Sequence, residues 1–161
     1  MAHPRPRGLR FDRVLAPVLV ASVVSTAIHY TDNYLFIEEY PQPEWIEKST
    51  IYSVWLMLTA VGAIGYWMYR TGWRVAAGAC LLVYSYTGLS SLGHYFFGSF
   101  SDFTAKMHFF IWTDGLTGAA VLACALALLL GIAPARGHRE EEAVGEQHVA
   151  GHEHPHVDAA G

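Results

Sequence analysis

The fold is decided most clearly by residues 109–132, which read FFIWTDGLTGAAVLACALALLLGI. This stretch is long enough for a helix to cross the hydrocarbon core of a bilayer, which takes about 20 apolar residues. Apart from a cysteine, its single ionisable side chain is Asp114. A helix at the surface of a soluble protein would instead carry charged residues along one face. The stretch therefore predicts a transmembrane helix.

Three earlier stretches have similar length and composition, at about 14–31, 51–69 and 75–94, and the last helix is expected at 108–132. Charged residues make up only 15% of the chain, against about 25% in typical soluble domains. Glycine recurs inside the stretches, as is common where membrane helices pack closely. We therefore predict an all-α protein, an integral membrane four-helix bundle formed by residues 14–132 in contact with the lipid bilayer.

The distribution of Lys and Arg predicts the orientation, because positively charged residues favour the cytoplasmic side of a membrane. Arginines occur before the first stretch, in the second loop and after the last stretch: Arg5, Arg7, Arg10, Arg13, Arg70, Arg74, Arg136 and Arg139. The first loop is mainly acidic, and the third carries only Asp102 and Lys106. The expected protein crosses the inner membrane of a bacterium several times, with both termini in the cytoplasm and residues 1–13 as a basic N-terminus.

The N-terminus also allows a second interpretation. An arginine-rich start, an apolar run at 14–24 and the small residues at 25–27 are typical of a cleavable signal peptide. Against cleavage, Ser22, Ser25, Thr26, His29 and Asp32 form one helical stripe that continues past the supposed cleavage point. A retained helix packed in a bundle would have such a stripe.

The C-terminal segment changes character after Pro134. Residues 133–161 are rich in Glu, Gly, Ala and His and have no periodic apolar pattern, which predicts a disordered cytoplasmic tail. Its histidines are candidates for loose binding of a divalent metal, or simply solvated: His148, His152, His154 and His156. The net charge of −4 comes mostly from this tail and the first loop, and no basic patch suits nucleic acid.

Most ionisable residues within the apolar stretches lie toward one end of the predicted bundle. They are His29, Asp32, His94, His108 and Asp114. Such side chains are costly in a membrane unless they face protein or water, so each is a candidate for function. Asp114 lies nearly two turns below His108, which predicts either a neutral carboxyl group or a partner across the bundle. We treat the five as candidate catalytic residues.

Three chemistries fit these residues. A divalent metal would be bound by imidazole and carboxylate, from His29, His94, His108 and Asp114. A b-type haem would take two axial histidines from separate helices, His94 and His108. A histidine with an aspartate would act as a general acid and base on a lipid-soluble substrate. Neither a His-Glu-x-x-His nor a Cys-x-x-Cys pattern is present to decide among them.

The topology over residues 14–132 resembles the EXPERA group, which includes sterol isomerases. The resemblance lies in four helices, a Pro-x-Trp pattern at Pro43 and Trp45 before the second, and acidic and histidine residues facing a central cavity. Small DoxX-like proteins with four helices are similar in the same way. The catalytic glutamate pattern of the EXPERA group is not recognisable here, so no functional residue is transferred.

The sequence thus supports three hypotheses of function. The first is a small membrane enzyme, or a metal-binding or haem-binding protein, with a polar site near the outer leaflet. The second is a binding or transport module that holds a hydrophobic small-molecule ligand in the same cavity. In the third, the chain is a structural or accessory subunit, and its polar residues serve helix packing.

Overall fold

A computed structural model describes residues 11–132 of the chain. Within them lie four helices: α1 Asp12–Leu35, α2 Lys48–Arg70, α3 Arg74–Leu89 and α4 Ala105–Leu129. Short 3-10 helices occur at Ile37–Glu39, Ser90–Phe96 and Phe100–Asp102, and the second of them prolongs α3. All four helical segments are long and apolar enough to span a membrane. The predicted all-α, four-helix membrane fold is confirmed, whereas the basic N-terminus up to residue 10 and the histidine-rich tail lie outside the described residues.

The helices begin and end at residues that satisfy backbone hydrogen bonds or turn the chain. Thr104 caps α4, its Oγ1 accepting a hydrogen bond from the amide of Met107 at 3.3 Å. Gly72 forms the tight turn between α2 and α3 with a φ of 92°, a conformation that L side chains rarely adopt. Helix α1 extends to Leu35, beyond the predicted end near residue 31, because Asp32 and Asn33 find polar partners outside α1.

The two ends of the bundle differ in their connections. We call the end with the α1–α2 and α3–α4 loops the loop end, and the end with the α2–α3 turn the turn end. At the turn end the core is apolar, and its most buried members include Leu15, Leu81, Val121, Ala125 and Leu128. Toward the loop end, α1 instead buries a polar stripe consisting of Ser22, Thr26, His29 and Asn33. Of the polar stripe predicted from the sequence, Ser22, Thr26 and His29 are buried in the bundle, while Ser25 and Asp32 are half-buried.

Helices α3 and α4 approach each other most closely at two glycines. A Cβ atom on Gly118 would lie only 2.8 Å from the amide nitrogen of Leu89. A Cβ atom on Gly88 would overlap the carbonyl oxygen of Asp114. Small residues permit this backbone contact, as is usual between membrane helices. The contact brings the carboxylate of Asp114 within reach of Ser91, which follows α3.

Candidate functional site

The centre of the site is the carboxylate of Asp114, which is fully buried in the bundle. It accepts hydrogen bonds from Ser25 Oγ and His29 Nδ1 of α1 and from Ser91 Oγ beyond α3. The distance from His29 Nδ1 to Asp114 Oδ2 is 2.8 Å, and that from Ser91 Oγ to the same oxygen is 3.1 Å. Three segments of the chain therefore meet at one carboxylate, and among the described residues no lysine or arginine is paired with it.

His29 is 2% exposed, and only one of its ring nitrogens has a partner. Its Nδ1 bonds to Asp114, while its Nε2 is buried without any hydrogen bond. In a neutral imidazole one nitrogen donates and the other accepts. With an ionised Asp114 and a neutral His29, Nδ1 donates to the carboxylate and Nε2 keeps its lone pair. In that state Asp114 fixes the tautomer of His29 and leaves it with a buried acceptor that has no partner.

His94 adds a second imidazole whose orientation is also fixed. Its Nδ1 donates to the backbone carbonyl of Pro41 at 2.8 Å, since a carbonyl oxygen can only accept. Its Nε2 therefore accepts, and lies 3.4 Å from the amide nitrogen of Asn33. The ring centroids of His29 and His94 are 5.6 Å apart. We call these two residues the histidine pair.

Tyr40, in the loop between α1 and α2, covers the histidine pair. Its ring centroid lies 5.7 Å from that of His29 and 5.3 Å from that of His94. Its hydroxyl donates to Asp32 Oδ2 at 2.7 Å, and Lys106 Nζ lies 2.7 Å from the other oxygen of Asp32. Burial, and next the hydrogen bond to Asp32, raise the pKa of Tyr40 above its ordinary value. Asp32, a predicted site residue, therefore holds Tyr40 in place over the histidine pair.

A cavity of about 410 Å³ lies beside the histidine pair and ends among the first turns of α2. It is lined by His29, Tyr30, Asn33, Gln42, Pro43, Trp45, Ile46, Thr50, Ile51, Val54, Tyr86, Ser90, Ser91, Gly93, His94 and Phe97. Most of this wall is apolar or aromatic, and its polar side chains include the two histidines, Asn33 and Ser91. Small-molecule sites commonly have this composition and a volume in this range.

His108 lies apart from the histidine pair. Its Nδ1 is 2.7 Å from the hydroxyl of Tyr95, and its ring stacks on Phe100 with a centroid distance of 4.0 Å. Phe103 packs against the same ring. We call these four residues the aromatic cluster. The structure therefore brings together His29, His94 and Asp114 of the predicted metal ligands, and places His108, one of the two predicted haem ligands, elsewhere.

In the part of the chain that the structure describes, no group of three His, Cys, Asp or Glu side chains is arranged to hold a metal ion. Asp114 contacts His29 through the nitrogen that would face away from a metal bound at Nε2. It is therefore placed to orient a histidine ligand, a role that carboxylates often have at metal sites.

A second cavity, of about 390 Å³, lies between α1 and α2 nearer the turn end. Its walls include Ala16, Leu19, Gly62, Ala63 and Tyr84, and they are almost entirely apolar. The two cavities are similar in size, but only the one at the loop end has titratable histidines in its wall.

The fold and the site together define a multi-pass membrane protein with a buried aspartate–histidine pair beside a cavity. Comparison with known proteins does not narrow this class: no family model matches the chain, and no curated protein or solved structure is significantly similar to it. The comparisons therefore give no support to the resemblance to the EXPERA group.

Proposed function

We propose that this chain is a small membrane enzyme in which His29 acts as a general base on an amphipathic molecule bound in the loop-end cavity. One observation carries the proposal: His29, a residue of the cavity wall, is bonded through Nδ1 to buried Asp114, and its Nε2 is buried without a hydrogen-bond partner. A buried polar atom without a partner costs free energy, so its retention calls for an explanation. A proton taken from a bound substrate supplies one.

Asp114 supports this role electrostatically. When Nε2 of His29 takes a proton, the ring becomes cationic, and a carboxylate 2.8 Å from Nδ1 stabilises that charge. Hydrogen bonds from Ser25 and Ser91 hold the carboxylate in position. His29 would therefore be the base, and Asp114 would be the carboxylate that orients it, an arrangement suited to general-base catalysis by histidine.

The substrate is expected to enter from the membrane. Tyr40 and Pro41 close the histidine pair on the side of the first loop. Other residues of the cavity wall are exposed on the surface of the bundle and are apolar or aromatic, namely Trp45, Val54, Tyr86 and Phe97. In a bundle that spans a bilayer, such a surface faces lipid or the interface. A molecule dissolved in the bilayer fits this opening better than a solute in water.

A binding or transport module for a hydrophobic ligand is the second candidate. The mainly apolar wall of the loop-end cavity favours it, because binding alone requires shape and a few orienting polar groups. In this case the histidine pair would hold the head group and no bond would change. A third role, as a structural subunit, needs the hydrogen bonds of Asp114 but has no use for the unpartnered Nε2 of His29.

The elimination of 5-nitrobenzisoxazole tests for a base in an apolar cavity without knowledge of the natural substrate. A base removes the proton on ring carbon 3, the electrons of that C–H bond form a nitrile, and the N–O bond breaks to give a coloured cyanonitrophenolate. We expect purified protein in neutral detergent to accelerate this reaction. His29→Gln should lower the rate about a hundredfold, a typical contribution of a positioned base. Asp114→Asn should lower it about tenfold or more.

His108→Gln is the matched control, because His108 lies in the aromatic cluster and not in the cavity wall. It should keep the rate of the unchanged protein. Equal rates for His29→Gln and His108→Gln would contradict the proposal. The same sample should be examined for visible absorbance and metal content, since haem bands or stoichiometric metal would make His29 and His94 ligands in place of a base.

We further propose a bacterial inner-membrane location with both termini in the cytoplasm, which would put the loop end at the outer leaflet. The positions of Lys and Arg support this orientation. In a variant without Cys80 and Cys124, a cysteine at exposed Ser99 should react with a membrane-impermeant thiol reagent in intact cells. A cysteine at Ala143 should react only after lysis. The reverse pattern would invert the orientation.

A further inference from the structure

The second cavity, which we call the turn-end cavity, is bounded by one face of α1 and one face of α2. Its wall includes side chains at helical spacing from both: Ala16, Val20 and Val24 of α1, and Thr59, Ala63 and Tyr66 of α2. Residues three or four positions apart share one side of a helix. Val20 is 63% exposed, and Val24 and Ala63 are exposed too, so the cavity of a bundle in a membrane opens sideways to lipid.

This wall has almost no polar group for an occupant. The hydroxyl oxygen of Thr59 is itself buried, and the hydroxyl of Tyr84 donates to Ser22 Oγ at 3.3 Å. The hydroxyl of Tyr66 accepts a hydrogen bond from Arg70 Nη1 at 3.2 Å. A polar molecule would lose hydrogen bonds on entering such a cavity, whereas a hydrocarbon chain has none to lose. The wall therefore favours a hydrocarbon chain.

Both helix faces continue toward the turn end with an arginine. Arg13 lies three residues before Ala16 on α1, Arg70 lies four residues after Tyr66 on α2, and both arginines are exposed. The guanidinium carbon of Arg70 is 5.9 Å from the centroid of the Tyr66 ring. Within the described residues neither arginine forms a salt bridge. Two cations therefore lie at the turn-end mouth of an apolar cavity.

The neighbours of these arginines indicate their depth in the membrane. Trp67 and Trp73 lie at the turn end and are exposed, as tryptophans at the boundary between membrane and water usually are. Arginine side chains at that level reach the lipid head groups. Asp12, the only carboxylate that the structure describes at this end, accepts a hydrogen bond from the hydroxyl of Tyr69. The charge at the mouth is therefore positive overall, which attracts anionic lipids.

The length of the turn-end cavity suits one leaflet of a bilayer. Val24 lies eight residues beyond Ala16 on α1, which corresponds to about 12 Å along the helix. Half of the hydrocarbon core of a bilayer is about 15 Å thick. An acyl chain whose head group lies beside the arginines would therefore run along most of the cavity before it reaches the midplane.

We propose that the turn-end cavity binds an acyl chain of an anionic phospholipid whose phosphate is held by Arg13 and Arg70. This site is separate from the loop-end cavity and does not depend on the proposed function. A guanidinium group presents parallel N–H donors that match the oxygens of a phosphate. A second copy of the chain fits this face less well, because a two-fold contact would bring the arginines of both copies together.

Four probes separate the head group from the chain. Thermal unfolding of the purified, lipid-free full chain in neutral detergent is measured with dioleoylphosphatidylglycerol, dioleoylphosphatidylcholine, dihexanoylphosphatidylglycerol and inorganic phosphate, each alone. The first is anionic with long chains, the second has the same chains without net charge, and the third has the anionic head group on short chains. We expect the first to raise the unfolding temperature by several degrees and the other three to have little effect. An equal shift by any of the other three would overturn the inference.

Charge variants locate the head group. Arg13→Gln and Arg70→Gln should each reduce the shift caused by dioleoylphosphatidylglycerol, and the double variant should abolish it. Each variant is compared with its own unfolding temperature without lipid. Lys48→Gln is the matched control, because it removes the same charge from an exposed position at the loop end. A shift that survives in the double arginine variant, or that Lys48→Gln reduces as much, would refute binding at the turn end.

A variant that narrows the turn-end cavity locates the chain. Ala63→Leu places a larger side chain in the wall and should abolish the shift. Ala119→Leu adds the same side chain at an exposed position of α4 outside that wall and should leave the shift intact. A dimer of the lipid-free protein that Ala63→Leu dissociates, combined with no shift by anionic lipid, would overturn the proposal in favour of a second copy.

Discussion

The histidine pair and the aromatic cluster are both built around imidazoles at the loop end, yet their surroundings differ in kind. His29 is fixed by a buried carboxylate and keeps a free acceptor beside a cavity. His108 is bonded to a tyrosine hydroxyl and stacked on a phenylalanine at the half-buried start of α4. The difference shows that the partners of a histidine near the end of a membrane helix depend on what the neighbouring segments place against it.

The largest expected effect comes from Asp114→Leu, which removes the acceptor of three hydrogen bonds in the bundle. Ser25, His29 and Ser91 would each lose a partner while remaining packed inside. At about 1 kcal/mol for each bond, we expect a loss of about 2–4 kcal/mol in unfolding free energy, measured in detergent. His108→Leu removes one bond at a half-buried position and should cost about 1 kcal/mol or less. Similar losses for both variants would erase the contrast between the two regions.

Much of this contrast could not be predicted from the sequence. Hydropathy predicts the four helices because the bilayer requires apolar length, and the depth of Asp114 predicts either a neutral carboxyl group or a partner across the bundle. Which histidine supplies that partner depends on how each helix is rotated and how far it is shifted against its neighbours. The α3–α4 contact at Gly88 and Gly118 sets this relation for Asp114 and Ser91.

The contacts that the first loop makes with the histidine pair were also hard to predict from the sequence. Tyr40 and Pro41 belong to an aromatic and proline-rich segment that usually indicates an interfacial anchor. In the structure, Tyr40 covers the histidine pair, and the carbonyl of Pro41 fixes His94. A backbone carbonyl has no sequence signature. The polar stripe of α1 was readable from the sequence, since Ser22, Thr26 and His29 recur at helical spacing and are all buried.

A smaller effect is expected from Tyr40→Phe, which keeps the ring over the histidine pair and removes its bond to Asp32. The loss of one buried hydrogen bond should lower the free energy of unfolding by about 1 kcal/mol near neutral pH. This cost should be visible in chemical unfolding in detergent. An unchanged stability would mean that the hydrogen bond from Tyr40 to Asp32 contributes nothing measurable and that Lys106 alone holds Asp32.

The same variant has a signature at alkaline pH. The pKa of Tyr40 is raised in the folded protein, so the stability linked to its neutral hydroxyl is fully present below the unfolded value of about 10. It is lost as the pH rises above that value toward the folded pKa. The unchanged protein should therefore lose stability more steeply above pH about 10 than Tyr40→Phe does. Parallel curves for the two proteins would contradict the assignment.

The smallest effect involves no change in stability, only the position of a proton on each ring. In the unchanged protein, nitrogen-15 spectra of labelled histidine at alkaline pH should show His29 and His94 protonated at Nδ1 and bare at Nε2. The carboxylate of Asp114 and the carbonyl of Pro41 accept from those Nδ1 atoms and cannot donate to them. His108 faces a hydroxyl that is able to donate or accept, so Tyr95→Phe should shift the His108 signals and leave the other two histidines unchanged. A proton found on Nε2 of His29 would remove the free acceptor on which the proposed base depends, and would place His29 with His108 as a packing residue.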